Sequence, residues 1–296
     1  MVYDDKKWKI LRVLTTNVCN YKCVYCHNEG QEHCVNVDMV TFEQFKKYYS
    51  IASKIGVEEV RFSGGEPLLN LETIKMIEWL NENSDVEIGL ATNGSKITEN
   101  IASRLGATRV MVTLHFPGVG KENYFRVTQR DWSSFEKCVD LFDRYKVDYS
   151  FNYTLYPETI SAVDDVIEYS KNKGKRVKLL PYLEQDFNNM SSNALSALYA
   201  KLDEQSCEKV YHEEEGYYIW TFESGAIVKI INSPCYLKNI GLCKSYGEIR
   251  LLPDLSLMNC IFGKKILTKD MSTEEIEALF IQLWDDMKSC SDVIDV

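Results

Sequence analysis

Three cysteines lie within eight residues in the stretch "TTNVCNYKCVYCHNEG", residues 15–30. Cys19, Cys23 and Cys26 have the spacing C-x3-C-x2-C, and thiolates bind soft metal ions and iron–sulfur clusters. A structural zinc site closes four ligands around the metal. The nearest further donors are His27, His33 and Cys34. A cubane held by three cysteines instead leaves one iron open to a substrate or cofactor, so the triplet indicates either a zinc site or an open cluster.

The composition excludes some classes of function. The chain has 296 residues, 45% of them hydrophobic, which is enough for one large α/β domain with a sizeable core. Its net charge is -10 and it has no cluster of lysines or arginines along the sequence. Because affinity for nucleic acid depends mostly on cationic contacts to phosphate, we expect no nucleic-acid partner.

The first residues, "MVYDDKKWKILRVL", contain no long apolar run. This pattern predicts neither a signal peptide nor a membrane span, and we expect a cytoplasmic protein with no membrane partner. The cytoplasm keeps thiols reduced, so the ten cysteines are not expected to form disulfides. Metal binding is then the better explanation for cysteines that cluster.

Strand-like and helix-like segments alternate up to about residue 185. Strands are predicted at 9–15, 57–63, 86–92, 107–116, 147–155 and 176–182. Helices are predicted at 41–55, 71–83, 133–145 and 158–172, with a short one after Ser95. This alternation predicts a parallel sheet, and six units predict a partial (β/α)6 TIM-like barrel. The cysteine triplet follows the first strand, at the edge of the sheet where such barrels place their chemistry.

The pattern changes in the remainder of the chain. A helix at 191–205 is followed by strands that look antiparallel, within 216–222, 225–231 and 247–262, and by a last helix from Ser272. The acidic, aromatic stretch "YHEEEGYYIWTFES" is interpreted as a solvated hairpin edge. We therefore divide the chain into a barrel, residues 1–185, and a small α+β region, residues 186–296.

Several motifs occur in the order found in one enzyme family. "FSGGEPLL" (62–69) follows the second predicted strand, "ATNGS" (91–95) the third, and "VTLHF" (112–116) ends the fourth. With the cysteine triplet, they resemble the motifs of radical S-adenosylmethionine (SAM) enzymes over essentially the whole chain. The resemblance implies a [4Fe–4S] cluster on Cys19, Cys23 and Cys26, with SAM on its open iron.

The second motif has a physical interpretation of its own. Gly64 and Gly65 let the backbone approach a ligand closely, Glu66 offers a carboxylate to an ammonium group, and Pro67 fixes the turn. The resemblance implies that this ligand is the methionine end of SAM.

The resemblance also assigns roles around the rest of the cofactor. It implies that Asn93 and Thr92 face the ribose and that Tyr25 packs near the adenine. His115 ends the fourth strand, where a group facing the substrate or SAM is expected, although a structural histidine is an equal alternative.

A second cysteine set lies in residues 225–262, which resemble the C-terminal part of the GTP 3′,8-cyclase family. That family holds a second, auxiliary cluster on three cysteines, and Cys243 and Cys260 fit the first and third. The expected second cysteine falls on Tyr246. Cys235 could substitute for it, and Cys290 could add a fourth ligand, as in the shortened auxiliary ("twitch") domain of related enzymes. The alternative is that these are scattered structural thiols.

Three arginines bear on the substrate. The resemblance places Arg12 and Arg61 where the cyclase family faces a triphosphate, and it matches Arg250 to one of the arginines of the auxiliary region. Arginine suits bidentate contacts with phosphate. However, only Arg250 remains of the arginine cluster expected in the C-terminal region, and the C-terminal Gly-Gly of that family is absent. The sequence therefore predicts a relative of the cyclases that acts on a different substrate.

The resemblance implies that SAM is cleaved to a 5′-deoxyadenosyl radical that abstracts hydrogen from a small substrate. Cyclase-like nucleotide chemistry and the dehydrogenation or epimerisation of a sugar-like metabolite are both open. An alternative is modification of a ribosomal peptide. Strand one begins within ten residues of Met1, so we expect no N-terminal peptide-binding domain, although a separate protein could supply one. An external electron donor such as flavodoxin or ferredoxin is implied. A scaffold or sensor that holds iron–sulfur or zinc is the non-enzymatic alternative.

Overall fold

An open sheet with helices on one side forms the frame of the molecule. The computed structural model describes residues 8–26, 36–157, 159–182, 192–231 and 239–287. The first six strands are β1 (Ile10–Leu14), β2 (Glu59–Ser63), β3 (Glu87–Thr92), β4 (Met111–His115), β5 (Asp148–Leu155) and β6 (Val177–Pro181). They pair in chain order and all run parallel. This arrangement confirms the predicted partial barrel.

Helices connect the strands and cover one face of the sheet. They are α1 (Phe42–Lys54), α2 (Thr73–Asn83), α3 (Glu99–Gly106), α4 (Gly120–Thr128), α5 (Trp132–Arg144) and α6 (Val163–Asn172). The predicted helix at 41–55 has a clear start, since Thr41 and Gln44 form a reciprocal capping box. Helix α4 was not predicted. It begins at a glycine with no side-chain cap, so the sequence carries no start signal there.

The C-terminal part of the chain extends the sheet at both edges. Its elements are α7 (Ser192–Gln205), β7 (Glu208–His212), β8 (Tyr217–Thr221), β9 (Ile227–Ile231), α8 (Ile240–Tyr246), β10 (Glu248–Leu251), β11 (Ser256–Met258), β12 (Ile266–Leu267) and α9 (Thr273–Asp285). In the described residues the sheet has the order β12-β11-β10-β1-β2-β3-β4-β5-β6-β9-β8-β7. The predicted hairpin is the antiparallel pair β7–β8, at one outer edge. Strands β9 and β10 run parallel to β6 and β1, a pairing that the sequence did not predict.

The two faces of the sheet differ in polarity. Along β5, the four residues Tyr149, Phe151, Tyr153 and Leu155 are buried, and they alternate with less buried polar residues. Successive side chains on a strand point to opposite faces, so the apolar set packs under the helices and the polar set lines the interior of the partial barrel. Strand β2 follows the same rule, with Val60 and Phe62 buried on either side of the partly buried Arg61. The barrel therefore encloses a polar interior.

Helix α9 packs against the residue that precedes β1, Trp8. The indole nitrogen of Trp8 donates a hydrogen bond of 2.8 Å to the carbonyl oxygen of Phe280. The ring of Trp8 also meets the ring of Trp284 edge-on, with centroids 5.1 Å apart. Trp8 and Phe280 therefore belong to one hydrophobic core. None of the described helices is long and apolar enough to cross a membrane.

Candidate active site

The cysteine triplet lies on the loop after β1, at the edge where the parallel strands end. Cys19 and Cys26 are exposed and Cys23 is partly buried. The backbone N–H of Tyr21 points at the Cys19 sulfur at 3.4 Å, and the N–H of Cys26 donates to the carbonyl of Cys23 at 3.0 Å. The loop therefore folds back on itself around the first and second thiols.

The three thiols are close enough to affect one another's ionisation. Burial raises the pKa of Cys23 to about 12, and the nearby Cys26 and Cys19 add to the shift. Burial also raises the pKa of Cys19. No three Cys, His, Asp or Glu side chains in the described residues converge as they would around a bound ion. The donor set nevertheless fits an iron–sulfur cluster, because three soft thiolates share one loop and a cationic centre would offset their mutual repulsion.

Gly64 and Gly65 hold this loop in place. The N–H of Gly65 donates to the carbonyl of Thr16 and the N–H of Glu66 to that of Val18, each at 2.8 Å. A Cβ on Gly65 would lie 2.1 Å from the carbonyl oxygen of Val18, and one on Gly64 would lie 2.5 Å from that of Thr16. These glycines were predicted to admit a ligand. The structure gives them a further role, since their small size lets β2 dock against the cysteine loop.

Glu66 is fully enclosed at the end of β2, with 1% of its surface exposed. Its carboxylate accepts hydrogen bonds from the Thr92 hydroxyl (2.6 Å) and from the backbone N–H groups of Asn93 (2.7 Å) and Leu68 (3.1 Å). Burial raises its pKa and the three donors lower it, with a net increase. Pro67 then begins a short 3-10 turn, Pro67–Leu69. The carboxylate predicted to meet an ammonium group thus already joins the ends of β2 and β3.

Asn93 connects the third strand to the cysteine loop. Its side-chain nitrogen lies 3.0 Å from the side-chain oxygen of Asn20 and 3.9 Å from the sulfur of Cys19. Asn20 in turn donates to the Ser95 hydroxyl at 2.8 Å. The structure therefore brings Asn93 next to the triplet, as the motif order implies, whereas the Thr92 hydroxyl points at Glu66. The contribution of Asn20 was not predicted.

Tyr25 and His115 contact each other on the Cys23 side of the triplet. Nε2 of His115 lies 3.4 Å from the Tyr25 hydroxyl and 3.5 Å from the Cys23 sulfur. Burial lowers the pKa of His115 to about 4, so its ring is neutral at physiological pH. The Tyr25 ring also meets Tyr156, with centroids 5.9 Å apart. Both side chains therefore stand beside the triplet, at the mouth of the barrel.

Two cysteines of the second set, Cys243 and Cys260, lie at the opposite end of the barrel. Cys243 precedes β10, which is parallel to β1, so it lies where the barrel strands begin. Cys260 follows β11, which runs antiparallel to β10 and so ends on that same side. Both thiols are partly buried. The further candidates Cys235 and Cys290 lie outside the described residues, as do His27, His33 and Cys34.

The predicted substrate-binding arginines meet inside the barrel, bound to carboxylates that sequence reasoning missed. Arg12 donates from Nε and Nη2 to the two oxygens of Glu248 at 2.9 and 2.7 Å, and Arg250 contacts Glu248 at 2.7 Å. Arg61 forms the same two-point pair with Glu59, at 2.5 and 2.7 Å. The sequence does contain a signal for these ion pairs. Glu59 and Glu248 each precede an arginine by two residues, and residues two apart on a strand share a face of the sheet.

Comparison with known proteins agrees with this geometry. A model of the radical SAM superfamily matches residues 13–170. The chain is 26% identical over 290 residues to a probable GTP 3′,8-cyclase of Methanocella arvoryzae, covering 92% of this chain and 88% of that protein. It is 24% identical over 300 residues to the GTP 3′,8-cyclase of Staphylococcus carnosus, covering 93% and 86%.

Among solved structures, the fold resembles Streptococcus suis SuiB bound to S-adenosylmethionine, with a TM-score of 0.69 and 12% identity over 90% of this chain. This chain spans 65% of the length of SuiB. The likeness supports the open, parallel architecture. Since the family model covers more than half of the chain, the protein belongs to the radical SAM superfamily and is an enzyme that uses a [4Fe–4S] cluster and S-adenosylmethionine.

Proposed function

We propose that the enzyme abstracts a hydrogen atom from a small substrate bound in the polar interior of the barrel. The observation that carries this proposal is that the thiol loop stands at one mouth of an interior lined by polar side chains. In a parallel barrel of this kind, the ends of several strands meet at that mouth. Glu66, Asn93 and His115 each come from the end of a different strand.

A [4Fe–4S] cluster held on the cysteine loop, once reduced, would supply the chemistry that cleaves SAM to methionine and a 5′-deoxyadenosyl radical. The chain's own residues position the reacting groups. Cys19, Cys23 and Cys26 would hold the cluster, and Glu66 fixes the ends of β2 and β3 around it. Tyr25 and the neutral His115 contact each other beside Cys23 and would pack against the bound cofactor.

For the reaction, cyclase-like nucleotide chemistry and the dehydrogenation or epimerisation of a sugar-like metabolite are the candidates. The similarity to GTP 3′,8-cyclases over most of the chain supports the cyclase-like frame. An auxiliary cluster at the far end of the barrel belongs to this proposal. Cys243 and Cys260 would hold it, joined by Cys235 and Cys290.

A ribosomal peptide is the second candidate substrate. A structure of SuiB bound to the precursor peptide SuiA has a TM-score of 0.69 with this chain, at 12% identity over 95% of it. Under this alternative, the substrate segment would enter the same barrel interior. In either case, an external donor such as flavodoxin or ferredoxin would deliver the electron in the cytoplasm.

The test is to mix reconstituted, anaerobic, reduced protein with SAM and to measure 5′-deoxyadenosine. We expect turnover in the parent and none in a Cys23→Ala variant. A Cys207→Ala variant removes an exposed thiol far from the loop and serves as the control. If fully loaded parent protein forms no 5′-deoxyadenosine under strong reductant, the proposed function is wrong.

A further inference from the structure

Three arginines on adjacent strands lie side by side in the barrel interior. Arg250, Arg12 and Arg61 are register partners across β10, β1 and β2. Register partners share a face of the sheet, so the three guanidinium groups point into the same space. Three cations that share one space form a site for an anion.

The anion at this site is part of the chain. Arg12 donates two hydrogen bonds to the Glu248 carboxylate. Nη2 of Arg250 lies 2.7 Å from that carboxylate and Nη1 of Arg61 lies 3.7 Å from it. Burial alone would raise the pKa of Glu248, but Arg12 and Arg250 hold that pKa well below its ordinary range. The carboxylate is therefore ionised at physiological pH and neutralises the arginines.

The two-point geometry matters for the kind of substrate. A guanidinium presents a fork of donors that suits a carboxylate and a phosphate equally well. The fork of Arg12 is taken by Glu248 and the fork of Arg61 by Glu59. A polyphosphate could bind these forks only by displacing ionised carboxylates, which would then stay enclosed beside it without their partners.

Two lysines lie on the other side of the barrel. Lys178 and Lys229 are register partners on β6 and β9, and Asn152 of β5 is the neighbour of Lys178. In the described parts of the chain, Lys178 forms no ion pair with a carboxylate, and Nζ of Lys229 lies 3.2 Å from the ring centre of Tyr217.

Asn152 supplies an independent sign of a ligand. Its side-chain oxygen is buried and has no hydrogen-bond donor among the described residues. Buried polar atoms of this kind are normally paired. A substrate with a hydroxyl or amine group next to a negatively charged group would give the Asn152 oxygen its donor and would place the negative charge between the two lysines.

We propose that Glu248 is a specificity-determining residue that excludes polyphosphate substrates, including nucleoside triphosphates. The barrel instead accepts a substrate with a single compact anionic group, held between Lys178 and Lys229 and hydrogen-bonded to Asn152. This inference rests on the proposed function for the location of the substrate.

The experiment is calorimetric binding of two probes, inorganic phosphate and inorganic tripolyphosphate, to the full chain. We expect the parent to bind tripolyphosphate no more tightly than phosphate. Glu248→Gln frees the fork of Arg12 and should strengthen tripolyphosphate binding by about tenfold or more, since charged hydrogen bonds are the strong ones. Glu78→Gln is the matched control, because Glu78 forms an equivalent two-point pair with Arg104 on the outer helices.

Two results would overturn the inference. One is a parent protein that already binds tripolyphosphate at least about tenfold more tightly than phosphate, a measurement that needs no variant. The other is a Glu248→Gln protein with a native circular dichroism spectrum and unchanged affinity. Lys178→Met should weaken phosphate binding. Cleavage of SAM is measured separately, so a failure of the proposed function would not be mistaken for a failure of this inference.

Discussion

Two buried carboxylates show how partners decide ionisation at the scale of single residues. Glu66 and Glu248 are both enclosed, yet the pKa of Glu66 is raised and that of Glu248 is lowered. The donors to Glu66 are neutral, so burial prevails, whereas Glu248 faces charged guanidinium groups. The first carboxylate therefore acts as a structural acceptor beside the cysteine loop, and the second as a fixed negative charge inside the barrel.

The hydrogen bonds of Glu66 predict a large structural cost for its loss. Glu66→Ala leaves two backbone N–H groups and the Thr92 hydroxyl without their acceptor. Each buried unsatisfied donor costs about 1–3 kcal/mol, so we expect the free energy of unfolding to fall by about 3 kcal/mol or more. Thr92→Val removes two hydrogen bonds, the one donated to Glu66 and the one accepted from the Gly94 N–H, and should cost about 2 kcal/mol. Urea denaturation of the metal-free protein measures both. An unchanged free energy of unfolding for Glu66→Ala would contradict this structural role and would leave ligand binding as the function of the carboxylate.

Lys178 predicts a dependence of stability on pH. Burial lowers its pKa to about 7, and the charges of Arg61, Lys229 and Arg12 add to the shift. Between this value and the ordinary lysine pKa of about 10.4, the unfolded chain binds more protons than the folded one, so the contribution of Lys178 to stability rises with pH. We expect Lys178→Met to be more stable than the parent at pH 6–7, with the difference shrinking by pH 9. Paired urea titrations measure this difference, and a constant one would contradict the lowered pKa.

At the scale of elements, the packing of β2 against the cysteine loop makes Gly65 indispensable. An alanine there would overlap the Val18 carbonyl, with only 2.1 Å between the atoms, so the loop must move. Overpacking of this kind costs about 1–3 kcal/mol. We expect Gly65→Ala to lose that stability and to retain less iron after reconstitution. Gly225→Ala is the control for iron loading. Gly225 has a φ of +79°, so an alanine there is strained and costs some stability, but its Cβ would meet open space and the cysteine loop need not move, so iron loading should stay at the parent level. Full iron loading in Gly65→Ala would refute this interpretation.

The same elements show how far the sequence predicts the structure. The first six strands could be located because each is a short run of apolar or alternating residues between helical segments. The cysteine loop, the Gly-Gly-Glu-Pro turn and Asn93 could be placed together because the ends of parallel strands meet at one edge. The strand that pairs with β10 could not be predicted, because the sequence of a four-residue strand does not indicate whether it pairs with β1 or with another strand. The same limit concealed the contact between Glu248 and Arg12.

At the scale of the whole molecule, the cysteine triplet and the pair Cys243 and Cys260 lie at opposite ends of one barrel. The sheet that connects them is continuous, because β10 pairs directly with β1. A substrate in the interior would then have the SAM site at one end and Cys243 and Cys260 at the other. This arrangement suits an auxiliary cluster that binds or oxidises the substrate, and it predicts that the second cluster assembles without the first.

Iron analysis of a triple variant tests that prediction. In Cys19→Ala, Cys23→Ala, Cys26→Ala protein, anaerobic reconstitution should leave about four irons and four sulfides per chain, the content of one [4Fe–4S] cluster, against about eight of each in the parent. Cys207→Ala should keep the parent content, since that thiol is exposed on the outside of the fold. Near-zero iron in the triple variant, with about four in the parent, would mean a single cluster and purely structural thiols at Cys243 and Cys260. If about four irons do remain, losing them on replacement of Cys260 would identify the far end of the barrel as their site.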